Sequence, residues 1–238
     1  DRGVFWKVVS ICDIIQKNII LRGNDWKRTG ENDMQYITHY SSPLGDMLLA
    51  GDEIGLTGLW FEGQKYFARN LDKDHQEREI PLFDTAKHWL DVYFTGKEPE
   101  FAVPLHLMGT EFQKEVWEIL CSVPYGHTVT YGTIAKQIAV QKGRKSMSAQ
   151  AVGSAVGHNP VSVIVPCHRV VGADGSLTGY AGGVDKKLGL LTLERADIFP
   201  EGCGIDPDSF PEGFRKIALG AELQPFTELM DTHICICK

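Results

Sequence analysis

The chain has 238 residues, 43% of them hydrophobic and 23% charged, with a formal net charge of −7. That mixture suits one or two folded domains and excludes a long disordered chain, a collagen and a repeat array. The longest apolar stretch near the start, residues 4–21, is interrupted by Lys7, Asp13, Gln16, Lys17 and Asn18 and has no small-residue cleavage site, so it is read neither as a membrane span nor as a signal peptide.

Residues 1–33 differ in pattern from the rest of the chain and are read as an N-terminal extension. From Met34 the apolar segments 36–40, 47–50 and 56–61 are separated by Pro43, Gly45, Gly51 and Gly55, the pattern of an antiparallel meander. Leu82, Ala86, Leu90 and Tyr93 recur at helical spacing, which predicts a helix over 81–93 that covers the sheet. The polar, Pro-containing stretch 96–104 reads as a linker, dividing a first domain at 34–104 from a second at 105–195.

Helices dominate the second domain. One is expected at 112–120 with Thr110 as its cap, and a second at 131–140 after Thr130. A third, at 149–156, is capped by Ser146 or Ser148 and closed by Gly157. The last two, joined by the polar turn 141–145, match a helix-turn-helix whose second helix is rich in small residues (Ala149, Ala151, Gly153, Ser154, Ala155). After Asn159 and Pro160, the β-branched run 161–165 reads as a buried strand stopped by Pro166. A turn at 172–175, a glycine-rich loop at 178–183 and a closing helix at 185–195 complete the domain. Residues 196–238, with Pro200, Pro207, Pro211 and Pro225, are read as a C-terminal extension.

Charge and cysteine placement narrow the chemistry. Residues 127–195 carry eight Lys or Arg against Asp174, Asp185 and Glu194, a local balance of +5 in an otherwise acidic chain. A polyanionic partner such as nucleic acid fits that stretch, as does a solvated basic face. Six scattered cysteines in a chain able to build its own core imply a reducing, cytoplasmic setting. Cys12, Cys121 and Cys203 read as structural, while Cys235 and Cys237 have no second pair at ligand spacing, so no zinc or other metal is expected. Cys167 differs: it leaves the expected strand beside His168, with Pro166 before it and the glycine loop shortly after. That placement can shield a thiolate yet leave it reachable. Successive residues of an extended chain point to opposite sides, so His168 would need a bridging water or a bend after Pro166 to serve as a base. Asp174, Asp185 and Glu194 are the acids near enough in sequence to orient it, and Glu194 suits best because its helix can fold back over the strand. A cysteine hydrolase would also use Cys167 with His168, and a helix-turn-helix regulator would need neither the thiolate nor Glu194.

The run Val165-Pro166-Cys167-His168-Arg169-Val170, after Asn159-Pro160 and before Thr178-Gly179-Tyr180-Ala181-Gly182-Gly183, closely resembles the active-site signature of the O6-alkylguanine-DNA alkyltransferases, or methylated-DNA–protein-cysteine methyltransferases. The resemblance spans about 34–195. It implies an α+β fold, a ribonuclease-H-like N-terminal domain followed by a helical, winged-helix-like DNA-binding domain. It further implies a monomer without cofactor that flips O6-alkylguanine, with O4-alkylthymine as a further substrate, out of double-stranded DNA and takes the alkyl group onto itself irreversibly. Under the resemblance Cys167 is the acceptor, His168 the base working through water, Glu194 the acid that orients it and Asn159 the hinge asparagine. Tyr131 presses on the target phosphate and, with Gly132, Gln150, Ala151, Gly153 and Arg169, forms the expected DNA or substrate contacts. Tyr180, Ala181 and Gly182 wall the guanine pocket. Gln150 stands where many members carry an arginine finger, which predicts weaker assistance to flipping.

Overall fold

A computed structural model describes residues 34–195, so both expected extensions, with Cys12, Cys203, Cys235 and Cys237, lie outside the described residues. The meander forms as β1 (Tyr36–Ser42), β2 (Gly45–Gly51) and β3 (Leu56–Phe61), paired antiparallel with Tyr36 opposite Gly51 and Met47 opposite Phe61. Gly45, at φ 117°, supplies the left-handed backbone that closes the first hairpin. The sheet order is β3-β2-β1-β4, where β4 (Gln76–Glu77) runs parallel to β1. The sequence predicts no strand there, because two exposed polar residues give no periodic signal. Helix α1 (Pro81–Tyr93) matches the expected span, with Pro81 in its first turn. It buries Phe83, Ala86, Trp89, Leu90 and Tyr93 on one face, packed along β2.

The second half is built on well-capped helices. In α2 (Glu111–Cys121), Thr110 and Gln113 form a reciprocal capping box; Thr130 caps α3 (Tyr131–Gln141) and Ser148 caps α4 (Ala149–Gly157) through their side-chain oxygens. A short parallel ladder joins β5 (Val129–Thr130) to β6 (Val170–Val171), and α5 (Val184–Leu193) closes the described chain. Among the described residues, no helix is long and apolar enough to cross a membrane. The two halves share one hydrophobic cluster running from Met47 and Leu59 through Trp117 to Val165 and Leu190.

What joins them is the edge of β3. Leu56 N–H donates to Pro104 O at 2.8 Å and Leu56 O accepts from His106 N–H at 2.9 Å, so the interdomain linker covers one end of that edge. Leu59 N–H donates to Pro160 O at 2.9 Å and its carbonyl accepts from Ser162 N–H at 2.8 Å, so the segment leading to Cys167 covers the other. An otherwise open strand edge thus receives chain from both sides of the second half.

The run 161–165 is not the strand that its β-branched composition predicts. Only Val161 bridges to β3; the rest coils tightly. Ile164 N–H donates to Ser162 O at 2.8 Å around Val163, which stands at φ 69°, and Cys167 N–H donates to Val165 O at 2.8 Å around Pro166 at φ −82°, ψ 61°. These are two three-residue turns, the second of the inverse γ type and the first at a left-handed β-branched residue costing about 1–3 kcal/mol. The side chain of Asn159 makes the coil possible. Its amide accepts from Val161 N–H at 3.0 Å and donates to Val161 O at 3.1 Å and Val165 O at 2.8 Å, serving backbone groups that a ladder would otherwise satisfy.

Trp117 secures α4 from below: its ring is buried and its Nε1–H donates to Ala155 O at 2.9 Å. Trp117→Phe loses that bond and some packing volume, and should lower stability by about 1–3 kcal/mol in urea unfolding. An unchanged midpoint would show that this contact does not hold α4 in place.

Candidate active site

Cys167 begins a single 3-10 turn, Cys167–Arg169, so the backbone bends immediately after Pro166. The thiol is buried, 4% exposed, and its Sγ accepts from Asn159 Nδ2 at 3.0 Å. The same amide nitrogen faces three acceptors with two hydrogens, so it binds the thiol and the coil before it as one unit. Burial pushes the Cys167 thiol up to about 11, against the Asn159 hydrogen bond and the charge of Lys187, which favour the thiolate. The resting group is therefore a protonated thiol whose ionisation requires help.

His168 lies wholly buried, its Nε2 2.8 Å from Glu194 Oε1 and 3.4 Å from Tyr93 Oη. Burial holds its pKa below the usual imidazole value in spite of the Glu194 charge, so the ring is neutral. Burial would raise Glu194, but His168 and Arg169 outweigh it and hold the carboxyl well below its ordinary range. An ionised Glu194 only accepts, so Nε2 carries the ring proton and Nδ1 is the basic nitrogen. Nδ1 has no hydrogen-bond partner among the described residues.

Arg169 does not reach a DNA surface. Its Nε and Nη2 grip Glu194 at 2.9 Å each and Nη1 donates to Val123 O at 2.6 Å, with only 8% of the residue exposed. Buried and paired to a carboxylate in this way, with three of its five N–H donors turned inward, the guanidinium is not presented to a phosphate, which corrects its expected place among the DNA contacts. Glu194 also accepts from Tyr93 Oη–H at 2.7 Å and Gly126 N–H at 3.2 Å. The helical spacing of Tyr93 on α1 indicates core packing alone; nothing in it signals a hydroxyl aimed at Glu194.

Around this centre, Tyr131 opens α3 half-buried and donates to Thr178 O at 3.1 Å, so the helix start touches the glycine loop. Gly179 stands at φ +89°, and a Cβ there would lie 2.5 Å from the Tyr131 hydroxyl. The loop carries Tyr180, buried at 9% exposure, its ring 6.5 Å from that of His168. Ala181 O accepts from Lys65 N–H at 3.0 Å, tying the loop to the first domain, and a Cβ on Gly182 would strike Tyr180 at 2.6 Å. Gly132 and Gln150 are exposed, Ala151 and Gly153 partly so, on the helix-turn-helix face, where Gly153 passes Tyr131 closely. No group of three or more His, Cys, Asp or Glu among the described residues gathers as a metal site.

This arrangement has counterparts. Residues 35–107 match the model of the 6-O-methylguanine DNA methyltransferase ribonuclease-like domain, and residues 111–196 that of the DNA-binding domain of the same family. The chain belongs to the 6-O-methylguanine DNA methyltransferase family. A methylated-DNA–protein-cysteine methyltransferase of Mycobacterium tuberculosis is 45% identical over 161 residues, which are 66% of this chain and 93% of that protein. One of Methanosarcina acetivorans is 46% identical over 167 residues, covering 67% and 97%. A crystal structure of the Mycobacterium tuberculosis protein OGT in complex with DNA superposes with a TM-score of 0.58 at 43% identity, covering 67% of this chain and 92% of that one. The family's two-domain architecture is the one described above, with the sheet first and the helical half second.

Glu194 provides a stability test. Its folded pKa is depressed, so its stabilisation is fully present above the ordinary carboxyl value of 4.5 and is lost as pH falls below it. Glu194→Gln should cost about 3–5 kcal/mol near neutrality, by leaving Arg169 buried without its counter-charge, and should flatten the acid limb of the stability profile. Urea unfolding of both proteins from neutrality into acid gives the answer; equal stability with an identical acid limb would refute it.

Proposed function

We propose that this protein repairs DNA by drawing O6-alkylguanine out of the duplex and accepting the alkyl group on Cys167. The observation that carries the reading is the buried Cys167 thiol held by Asn159, next to a neutral His168 that an ionised Glu194 orients. The alkyl carbon lies inside base-paired DNA, so the nucleotide must leave the stack before a sulfur can approach it in line. His168 Nδ1 takes the thiol proton through a bridging water. The thiolate then attacks the alkyl carbon, an S–C bond forms as the C–O6 bond breaks, and the departing guanine oxygen takes a proton from Tyr131 or a hydrogen bond from a backbone N–H, the thiol proton held on His168 restoring the balance through water. The product is an uncharged thioether with no leaving tendency, so each molecule acts once.

The exposed face of α3 and α4, with Tyr131, Gly132, Gln150, Ala151 and Gly153, is the DNA contact in this reading, and Tyr180, Ala181 and Gly182 bound the pocket. An acceptor thiol must stay reduced, which supports a cytoplasmic location.

Intact mass after mixing with duplex containing O6-methylguanine should show one methyl per molecule, on Cys167 and not on Cys121. Cys167→Ala should abolish transfer while DNA binding persists. His168→Ala should slow transfer, with partial rescue as rising pH forms thiolate unaided. Repeated turnover, or label on another cysteine, would sink the reading.

A second measurement addresses the helix face. Gln150→Arg adds one cation at an exposed position of α4. DNA affinity should rise and the salt dependence of log K steepen by about one phosphate-equivalent. An unchanged salt slope would place α4 away from the duplex.

A further inference from the structure

Lys187 is wholly buried on α5, a costly place for an ammonium. Its Nζ donates to Val170 O at 2.5 Å and Thr178 O at 3.2 Å. Val170 directly follows the turn bearing Cys167, and Thr178 opens the glycine-rich loop. The Thr178 carbonyl also receives the Tyr131 hydroxyl. One ammonium therefore clasps the two segments that flank the thiol, at a carbonyl shared with the start of α3. A neutral side chain would pack the same slot with less desolvation, so the charge calls for a reason. The electrostatics supply it: burial brings Lys187 down to about 8, and the opposing influence is the Cys167 sulfur.

We propose that Lys187 is a positioning residue for alkyl transfer, holding the glycine loop to the thiol-bearing turn through the Thr178 and Val170 carbonyls and presenting the fixed positive charge toward which the Cys167 thiolate forms. The assignment rests on Cys167 being the acceptor. Other groups around the sulfur provide no net cation. Asn159 is neutral, Tyr131 from α3 and Tyr180 from the loop are held protonated by burial and by Cys167, and His168 is neutral. Arg169 and Glu194 behind the imidazole are paired with each other.

The test is single-turnover alkylation of the full chain by O6-benzylguanine as the free base, followed against pH for the parent, Lys187→Met and Lys187→Arg. Lys187→Met keeps the apolar stem and removes the charge. Its rate at neutral pH should fall about tenfold or more, with the rate profile displaced by about one unit toward alkali, because each unit in thiol pKa is a tenfold change in thiolate. Lys187→Arg should return the profile toward the parent's position. A Lys187→Met protein with the parent's rate and profile would overturn the proposal, as would a slower one whose profile does not move, since that marks a structural role alone.

If the variants do not fold, the wild-type rate profile decides the matter. Lys187 loses its proton near pH 8, below the thiol's value of about 11, so the rate should stop rising with pH above about 8 as the cation disappears. A rate that keeps climbing about tenfold per unit through that range overturns the assignment. Wild-type protein that takes no alkyl group at all would instead refute the function proposed above, so the two failures are distinguishable.

Discussion

Everything at the centre of this molecule is arranged around one buried carboxylate. Glu194 accepts from Tyr93 on the helix of the first half, from His168 and Arg169 just past the thiol, and from the Gly126 backbone after α2. An ionised carboxylate out of water is tolerated only with that many donors, and one cation among them makes the cluster electrically neutral overall. The same contacts fix which imidazole nitrogen is basic. Stability and proton chemistry are thus set by a single group, and because Tyr93 takes part, the sheet half is a structural partner in the site rather than a separate module.

Asn159 plays the complementary part on the other side of the sulfur. A thiol at the end of a straight strand would be aimed by the sheet's own pleat; here it is aimed by a coil of three-residue turns, one at a left-handed valine. Such a coil persists only if its backbone groups are satisfied locally and its strain is offset by burial of Val161, Val163 and Val165. The amide satisfies those groups and, with its remaining reach, holds the sulfur.

Local signals are legible in the sequence and non-local ones are not. The three helix caps Thr110, Thr130 and Ser148 act within their own turns, so spacing and cap chemistry suffice to place α2, α3 and α4, and the apolar stripe suffices for α1. The motif around Cys167 brings His168 and Glu194 into view together, and the structure sets them 2.8 Å apart. The run 161–165 misleads because β-branched composition reports burial, whereas the choice between strand and coil is made by a side chain at Asn159 acting across six residues. Arg169 and Lys187 mislead for a related reason. Both count toward the basic stretch, yet both are engaged inside by a carboxylate or by backbone carbonyls, which leaves six of the eight cations there for the surface. Charge read along a chain does not distinguish a cation that faces solvent from one buried with a partner.

The manner in which β3 is covered has a bearing beyond the site. Its outer edge takes hydrogen bonds from residues 160–162, the lead-in to Cys167, so the same few bonds that deliver the thiol also stop the sheet from recruiting another strand. If that lead-in detached, a fully buried strand would present unpaired N–H and C=O groups to any neighbouring chain. Molecules disrupted at this point would then tend to associate edge to edge, so damage to the segment leading to Cys167 would remove the protein from solution as well as disturb the buried thiol.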